Sequence, residues 1–177
     1  MAASISIPRV RNAAYPYMMD IANRFTASLS LAGRANTKMI IVQRAEAPGT
    51  LRLNFSVGRM LSMRRSAVGA AYLAATSEQE RAELMEQLRR EAPESWPSVR
   101  AYLDEAKAMY QEHGYVLNLR RYHPDINAVG VPLIAPNGWT IMATNCGGPS
   151  SAMTVERLTG PIAQAMFGLA ATLRTML

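Results

Sequence analysis

A chain of 177 residues is long enough to bury one hydrophobic core without help from disulfides or metal ions. Hydrophobic residues make up 49% of it and charged residues 18%, a composition that indicates a globular domain and excludes intrinsic disorder. No apolar run approaches the roughly 20 residues of a membrane span, and the net charge of +6 comes from scattered arginines, which argues against a nucleic-acid-binding surface in this chain.

The first predicted element is an amphipathic helix near the N-terminus. Its apolar residues recur every three or four positions, as one buried face of a helix requires. Pro16 marks either its start or a break, because proline lacks the backbone donor of an interior helical position. The apolar positions are Val10, Ala14, Tyr17, Ile21 and Phe25.

Three strand candidates follow in quick succession. Residues 26–33 and 50–57 alternate between apolar and polar side chains, and residues 38–45 are apolar at their centre. Because the connecting turns are short, the three strands are expected to form an antiparallel meander.

The middle of the chain has the composition of helices. Ser66 is the candidate N-cap of an alanine-rich helix, and Ser77 with Glu80 forms a capping box for the next helix. A third helix is expected to begin near Pro97 and to end at Gly114, since glycine favours the left-handed conformation that follows a helix.

The remaining third predicts three more strands and a final helix. The strands cover 115–120, 126–135 and 139–146, with a Pro-Asn-Gly hairpin signal between the last two, and the helix runs from Val155 to the last residue. Two blocks of strands around a helical segment predict an α+β fold. We expect a GAF- or PAS-like domain with a roughly six-stranded antiparallel sheet flanked by helices.

Alternation in the last strand separates three neighbouring residues of different chemistry. Asn145 and Gly147 share one face of the strand, whereas Cys146 lies on the other. Ile126, Ala128 and Gly130 share a face of mostly small residues on the preceding strand. Small residues beside one polar side chain leave room for a ligand in a largely apolar site. The alternative is a helix packed closely over them, with Asn145 hydrogen-bonded to the backbone.

The sequence offers little support for an enzyme or a metal site. His113 and His123 lack the close spacing of metal ligands, and no glycine-rich phosphate loop is present. Cys146 is the only cysteine, which excludes an internal disulfide and suits a reducing cytoplasm. Within a strand it is expected to be a buried thiol. A nucleophilic pair with His123 and a redox role remain open alternatives.

Two segments resemble motifs of the IclR family of bacterial transcription regulators. In LRLNFSVGRMLSMRRSAVGAAYLAA (51–75), an alternating strand leads through Val-Gly and a basic-apolar turn to a helix of small residues. In GYVLNLRRYHPDINAVGVPLIAPNGWTIMATNCGGPSS (114–151), a strand, a small apolar strand and a hairpin lead to a strand that closes on Gly-Pro. Both motifs occur in order and at the expected separation, so the chain is identified as a member of this family along essentially its whole length.

This resemblance implies the effector-binding domain of a regulator whose N-terminal winged helix-turn-helix is absent from this chain. Residues 1–15 would then be a residual linker and helix start, and residues 16–177 the effector-binding domain. The implied partners are a small carboxylate effector, further copies of the chain in a homodimer or homotetramer, and operator DNA through the missing domain alone. The resemblance implies no cofactor, no metal and no membrane, and the expected location is the cytoplasm.

The resemblance also implies the residues of an effector pocket. A helix start presents backbone N–H groups to an anionic ligand, and facing strands supply the walls. The expected effector-binding residues are Leu51, Leu53, Leu61, Ser66, Ala67, Val68, Gly69, Asn118, Ile126, Ala128, Asn145 and Gly147.

Departures from the family pattern bear on the identity of the ligand. Members that bind small oxo-acids carry hydroxyl side chains where this chain has Asn145 and Gly147. We therefore expect a larger carboxylate, such as an aromatic acid or its ring-cleavage product. Arg64, Arg65 and Arg120 are possible anchors for its carboxylate group, although each could equally face solvent.

Two other classes of protein are compatible with the sequence. One is a stand-alone small-molecule sensor without DNA binding, which an in-frame helix-turn-helix upstream in the gene would argue against. The other is an enzyme that uses Cys146, for which Cys146→Ser would abolish turnover of a bound acid or ester.

Overall fold

The sheet of this protein is assembled from two blocks of strands that lie far apart in the sequence. The computed structural model describes residues 7–50 and 55–177. The strands are β1 (Ser28–Ala35), β2 (Lys38–Glu46), β3 (Met60–Ser62), β4 (Val116–Leu119), β5 (Ile126–Ile134) and β6 (Thr140–Pro149). The helices are α1 (Ile7–Phe25), α2 (Ala67–Ala75), α3 (Glu78–Glu91), α4 (Trp96–His113), α5 (Val155–Arg157), a π-helical turn (Leu158–Ile162) and α6 (Ala163–Arg174).

Each block is an antiparallel meander, and the pairing of β1 with β6 joins the two. The strand order is β3-β2-β1-β6-β5-β4, which confirms the predicted α+β fold with a six-stranded antiparallel sheet. At the junction, Ser30 lies opposite Asn145 and Leu29 lies opposite Cys146. The side chain of Thr144 ties the two strands together, because its Oγ1 donates a hydrogen bond of 2.9 Å to the carbonyl of Ser30.

The third strand lies later in the chain than predicted. Of the predicted range 50–57, residues 51–54 lie outside the described part of the chain, and the strand expected over residues 55–57 is wrong. A turn occupies this place, where Gly58 has a φ of +92° and its amide donates to the carbonyl of Ile41 at 2.7 Å. Pairing with β2 therefore begins only at Met60.

The sheet carries a hydrophobic core on each face. The helices α1 and α6 cover one face, where Met142 and Cys146 of β6 are buried. The helices α2 and α4 cover the other face, where Ala143 of β6 belongs to the core that includes Val68 and Leu103. The alternation predicted along β6 is confirmed, since successive side chains enter opposite cores.

The first helix begins earlier than predicted and continues through its proline. It starts at Ile7 among the described residues, so the expected start or break at Pro16 is wrong. Pro16 lies on the exposed side of the helix, where water can satisfy the carbonyl that proline leaves without a donor. The buried face runs through Met18 rather than Tyr17, which is 45% exposed. Val10, within the predicted linker segment, is buried in the core.

The helix α2 packs closely against β5 at Gly130 and against the turn that precedes the helix at Gly69. A Cβ atom at Gly130 would lie 2.8 Å from the carbonyl oxygen of Ala67, and one at Gly69 would overlap the backbone of Met63. A larger residue at either position would therefore push the N-terminal half of α2 away. The alternative interpretation of the small-residue face, a helix packed closely over it, is correct at Gly130.

The predicted capping box of α3 is only half formed. The Oγ of Ser77 accepts a hydrogen bond of 3.2 Å from the amide of Glu80. The carboxylate of Glu80 does not return to Ser77 but accepts from the hydroxyl groups of Tyr72 and Thr76. The predicted end of α4 is confirmed, since Gly114 follows the helix with a φ of +83°.

The C-terminal helix is interrupted rather than continuous. Gly160 has non-helical backbone angles, φ −102° and ψ −107°, because the following Pro161 disfavours the helical conformation of the residue before it. The last helical residue is Arg174, three positions before the predicted end. None of the helices in the ranges 7–50 and 55–177 is long and apolar enough to cross a membrane.

The contact between α2 and β5 predicts that adding a side chain at Gly130 destabilises the protein. Gly130→Ala should lower the free energy of unfolding by about 1–3 kcal/mol, because the added methyl group meets the backbone of Ala67. Gly168→Ala is the matched control: Gly168 lies on the exposed face of α6 with no atom within 4 Å of an added Cβ. This control should raise stability by up to about 1 kcal/mol. Urea denaturation measures both, and a Gly130→Ala variant as stable as the wild type would contradict the packing.

Candidate functional site

A cleft opens between the sheet and the start of α2. It consists of two adjoining cavities of about 40 Å³ each, which share Phe55, Ile126, Ala128 and Asn145 as lining residues. We call the combined space the cleft. Its described lining residues are Ser28, Ser30, Arg44, Phe55, Leu61, Ser66, Ala67, Asn118, Tyr122, Ile126, Ala128, Asn145, Gly147 and Gly148.

Most of the residues expected in an effector pocket come together here. Val68 and Gly69 lie behind the helix start in α2 and do not line the cleft, and Leu51 and Leu53 fall outside the described residues. The expected residues that do line it are Leu61, Ser66, Ala67, Asn118, Ile126, Ala128, Asn145 and Gly147.

Asn145 presents an available hydrogen-bond donor to the cleft. Its Oδ1 accepts a hydrogen bond of 3.2 Å from the amide of Ser30, so the side chain is fixed by backbone, as the alternative interpretation expected. Its Nδ2 donates to no residue in the part of the chain that the structure describes. One half of the amide therefore anchors the side chain, and the other half remains free to bind a ligand.

The start of α2 contributes partial positive charge. The Oγ of Ser66 accepts from the amide of Gly69 at 3.1 Å and donates to the carbonyl of Ser62 at 2.6 Å. The first amides of a helix have no partner inside the helix, and Ser66 satisfies only that of Gly69. The amides of Ala67 and Val68 therefore lie at the positive end of the helix dipole, where an anion is stabilised.

Asn118 holds the cleft together through its own hydrogen bonds. Its Nδ2 donates to the carbonyl of Arg65 at 2.6 Å and to the Oη of Tyr102 at 2.7 Å. Its Oδ1 accepts from the amides of Arg121 and Tyr122, both at 3.2 Å. Because both ends of the amide are engaged, Asn118 positions the turn before α2 and the loop after β4. Burial also raises the pKa of Tyr102, so its phenol stays neutral.

Gly147 is required by the sheet as well as by the cleft. A Cβ atom there would lie 2.8 Å from the carbonyl oxygen of Asn127 and 2.9 Å from the Cβ of Ala128 on the neighbouring strand. The missing side chain therefore leaves space at one end of the cleft and also lets β5 and β6 approach each other. Strand packing alone accounts for a glycine at this position.

Arg44 is a cleft residue that the sequence did not reveal. A β-bulge interrupts the pairing of β1 with β2, since Ile41 lies opposite Ala32 but Gln43 lies opposite Leu31. Strict alternation from the buried Ile41 would turn Gln43 toward the cleft. The extra residue of the bulge instead turns Arg44 there, as bulges commonly re-aim a side chain.

Arg44 is the one charged side chain among the described lining residues. Its Nη1 donates to the Oγ of Ser30 at 2.6 Å, and its Nε donates to the Oε1 of Glu46 at 2.8 Å. The guanidinium lies over the ring of Phe55, 5.0 Å from the ring centroid. With its side chain only 11% exposed, this cation is held in place between a carboxylate and an aromatic ring.

The three arginines predicted as possible anchors lie elsewhere. Arg64 is 3.8 Å from the carboxylate of Glu91, and Arg65 donates to the carbonyl of Tyr122 at 3.3 Å. Arg120 is exposed and adopts a left-handed φ of +60° in the loop after β4. None of the three lines the cleft as described.

Cys146 faces away from the cleft, and its thiol is buried and uncharged. It is 0% exposed and belongs to the core under α1 and α6. Burial raises the pKa of its thiol to about 12, with a small opposing effect from Arg157. The thiol is therefore neutral near pH 7, so Cys146 lacks the thiolate form in which it would act as a nucleophile. In the described ranges, no three His, Cys, Asp or Glu side chains lie together so that they could hold a metal ion.

A larger groove of about 300 Å³ lies between β5, α6 and the end of α4. Its lining is mostly apolar, with Val131, Pro132 and Phe167 among its residues and Arg174 at its edge. Tyr110 and Arg174 are the polar side chains among its described lining residues, fewer than in the cleft. The cleft is therefore the better candidate for a ligand site, because of its polar groups and despite its smaller volume.

Nearly the whole chain matches the model of a protein family. That model describes the C-terminal region of the bacterial transcriptional regulator IclR, and it matches residues 2–172. Among curated proteins, the HTH-type transcriptional regulator TsaQ1/TsaQ2 of Comamonas testosteroni is 22% identical over 155 residues, which is 86% of this chain and 56% of that protein. The chain thus spans little more than half the length of this relative.

Solved structures share the fold. An IclR family transcriptional regulator from Brucella abortus superposes with a TM-score of 0.88 at 31% identity, over 99% of this chain and 66% of that chain. The inducer-binding domain of the PobR transcription factor from Acinetobacter, a double mutant in complex with 3-hydroxybenzoic acid, superposes with a TM-score of 0.76 at 16% identity. That match covers 94% of this chain and 98% of the PobR domain.

The buried position of Cys146 predicts that native protein resists alkylation. With a pKa of about 12, only about one thiol in 10,000 is ionised at pH 8, and the sulfur is also inaccessible. Iodoacetamide followed by mass spectrometry should label Cys146 only after denaturation in urea. Labelling of native protein at the rate of the unfolded chain would show that the thiol is reactive.

Proposed function

This chain belongs to the IclR family of bacterial transcriptional regulators, and from that premise we propose that it is the effector-binding part of such a regulator. The proposed effector is a small carboxylate that binds in the cleft. The observation that carries this proposal is the free Nδ2 of Asn145, which faces the same cleft as the positive end of α2. A carboxylate accepts hydrogen bonds from both kinds of donor and carries the charge that the helix end favours.

The proposed ligand is larger than a two- or three-carbon oxo-acid. Gly147 and Ala128 leave space at the end of the cleft that borders Ser28. By the family resemblance, Asn145 also stands where members that bind small oxo-acids carry a hydroxyl side chain. An aromatic acid or its ring-cleavage product fits this description. The 3-hydroxybenzoic acid bound by the PobR domain supports this class of ligand, because that domain has the same fold.

The proposed mechanism is a shift between two arrangements of the domain. The walls of the cleft come from both strand blocks, with Ser30 from the first and Asn145 from the second. An effector that contacts both blocks binds one arrangement more tightly and raises its population. A homodimer or homotetramer would pass this preference to helix-turn-helix domains outside this chain, and through them to operator DNA in the cytoplasm.

Thermal unfolding with a panel of acids tests the proposal. The panel contains benzoate, 3-hydroxybenzoate, phenylacetate, cis,cis-muconate, glyoxylate and pyruvate. A ligand present at 100 times its dissociation constant stabilises the folded protein by about 2.7 kcal/mol, so an aromatic acid or muconate should raise the melting temperature by several degrees. Stabilisation by glyoxylate or pyruvate alone, or by none of the six, would count against the proposal.

The variant Asn145→Ala should weaken binding of the stabilising acid by about tenfold, because it removes one hydrogen bond to a charged group. Cys146→Ala is the matched control, since this neighbouring residue faces the opposite core. Isothermal titration calorimetry measures both affinities. Equal affinities of Asn145→Ala and the wild type would remove Asn145 from the binding site.

A further inference from the structure

Phe55 lies where the two cavities of the cleft adjoin. Phe55 lines both cavities, and each of them has a volume of only about 40 Å³. A cavity that binds benzene has a volume of roughly 150 Å³. An aromatic ligand therefore cannot enter the cleft while Phe55 keeps this position.

The surroundings of Phe55 are those of a bound aromatic ligand. The guanidinium groups of Arg44 and Arg59 lie over the ring, 5.0 and 5.2 Å from its centroid. The ring of Tyr122 packs against it at 5.4 Å with an interplanar angle of 58°. Cations over the face and a tilted aromatic neighbour are favourable partners for any benzene ring.

Arg44 binds a carboxylate at the same time. Its Nε donates to Glu46 at 2.8 Å, in a pair whose side chains are 11% and 26% exposed. Glu46 does not line the cleft and is the more exposed partner, so its carboxylate can turn toward solvent. Arg44 thus holds a benzene ring and a carboxylate that belong to two different residues of the chain itself.

From this arrangement we propose that Phe55 and Glu46 are an internal substitute for the effector, and that Arg44 is the residue that selects an aromatic carboxylate. The effector ring takes the place of Phe55, and its carboxylate replaces that of Glu46 as the partner of Arg44, which lines the same cavity as Asn145. This inference rests on the proposed function and narrows it, because it names the ligand class and the residue that recognises it.

The exchange keeps every strong interaction of Arg44. A largely buried cation that loses its carboxylate partner is destabilised, whereas replacing one carboxylate by another leaves it paired. The ring of the effector likewise replaces one aromatic contact with another. Binding therefore moves Phe55 and the residues next to it without leaving a charge unpaired, which couples occupancy of the cleft to the position of the segment that enters β3.

Calorimetry with benzoate, 3-hydroxybenzoate and benzamide tests the inference. Wild-type protein should bind either acid and prefer it over the uncharged benzamide. Arg44→Gln should weaken binding of the acids by at least about tenfold and abolish the preference over benzamide. Arg44→Lys, which keeps the charge but loses the planar fork, should give an intermediate affinity.

The internal substitute predicts variants that bind more tightly than the wild type. Phe55→Ala should tighten binding of the acids by about tenfold, since it removes the competing ring, and Glu46→Gln should tighten it severalfold by removing the competing carboxylate. Phe55→Leu, which preserves more of the packing, should show a smaller gain. Arg89→Gln and Glu86→Gln are matched controls, because each breaks an exposed ion pair on α3. Both variants should bind benzoate and 3-hydroxybenzoate with wild-type affinity.

The outcomes separate this inference from the proposed function. If wild-type protein binds none of the panel acids, the proposed function fails and this inference fails with it. A second outcome is that an acid binds and that Asn145→Ala lowers its affinity, whereas the variants of Arg44, Phe55 and Glu46 bind it with wild-type affinity. In that case the cleft remains the binding site, and only the internal substitute is overturned. The inference is supported if Phe55→Ala and Glu46→Gln bind the acid more tightly than the wild type and Arg44→Gln binds it more weakly.

Discussion

The pairing of β1 with β6 is the interaction on which the rest of the structure depends. It joins two strand blocks that have the helices α2, α3 and α4 between them in the sequence, and it places Ser30 directly opposite Asn145, 115 positions later in the chain. Two hydrogen bonds reinforce that point, one from the Thr144 hydroxyl to the carbonyl of Ser30 and one from the Ser30 amide to the Asn145 side chain. The candidate site lies on this junction, so any ligand there contacts both halves of the sheet.

The two faces of the sheet differ in how closely helices cover them. One face is sealed by α1 and α6, and Cys146 is buried there as an uncharged thiol. On the other face, α2 packs tightly at Gly130 but leaves a cleft beside Ala128 and Asn145. Close helix packing is therefore found at Gly130, and the ligand-site interpretation stays a prediction for the space beside Ala128 and Asn145.

The sequence predicts those features that depend on local periodicity. The opposite directions of Asn145 and Cys146 follow from the two-residue repeat of a strand, and they could be predicted without knowledge of the partner strands. Arg44 could not be predicted in this way, because the bulge that turns it is fixed by pairing with β1. The predicted position of the third strand is wrong because pairing with β2 decides where that strand begins. The helix α1 continues through Pro16 because that residue faces solvent, which periodicity alone does not reveal.

A crystal structure of the chain with 3-hydroxybenzoate tests the central claim, that the cleft binds an aromatic carboxylate at the junction of the two strand blocks. The predicted result is a ligand carboxylate within hydrogen-bonding distance of Arg44 and of Asn145 Nδ2, with the ring of Phe55 displaced. A ligand in the groove between β5 and α6, or in the cleft with its carboxylate turned away from both residues, would contradict it.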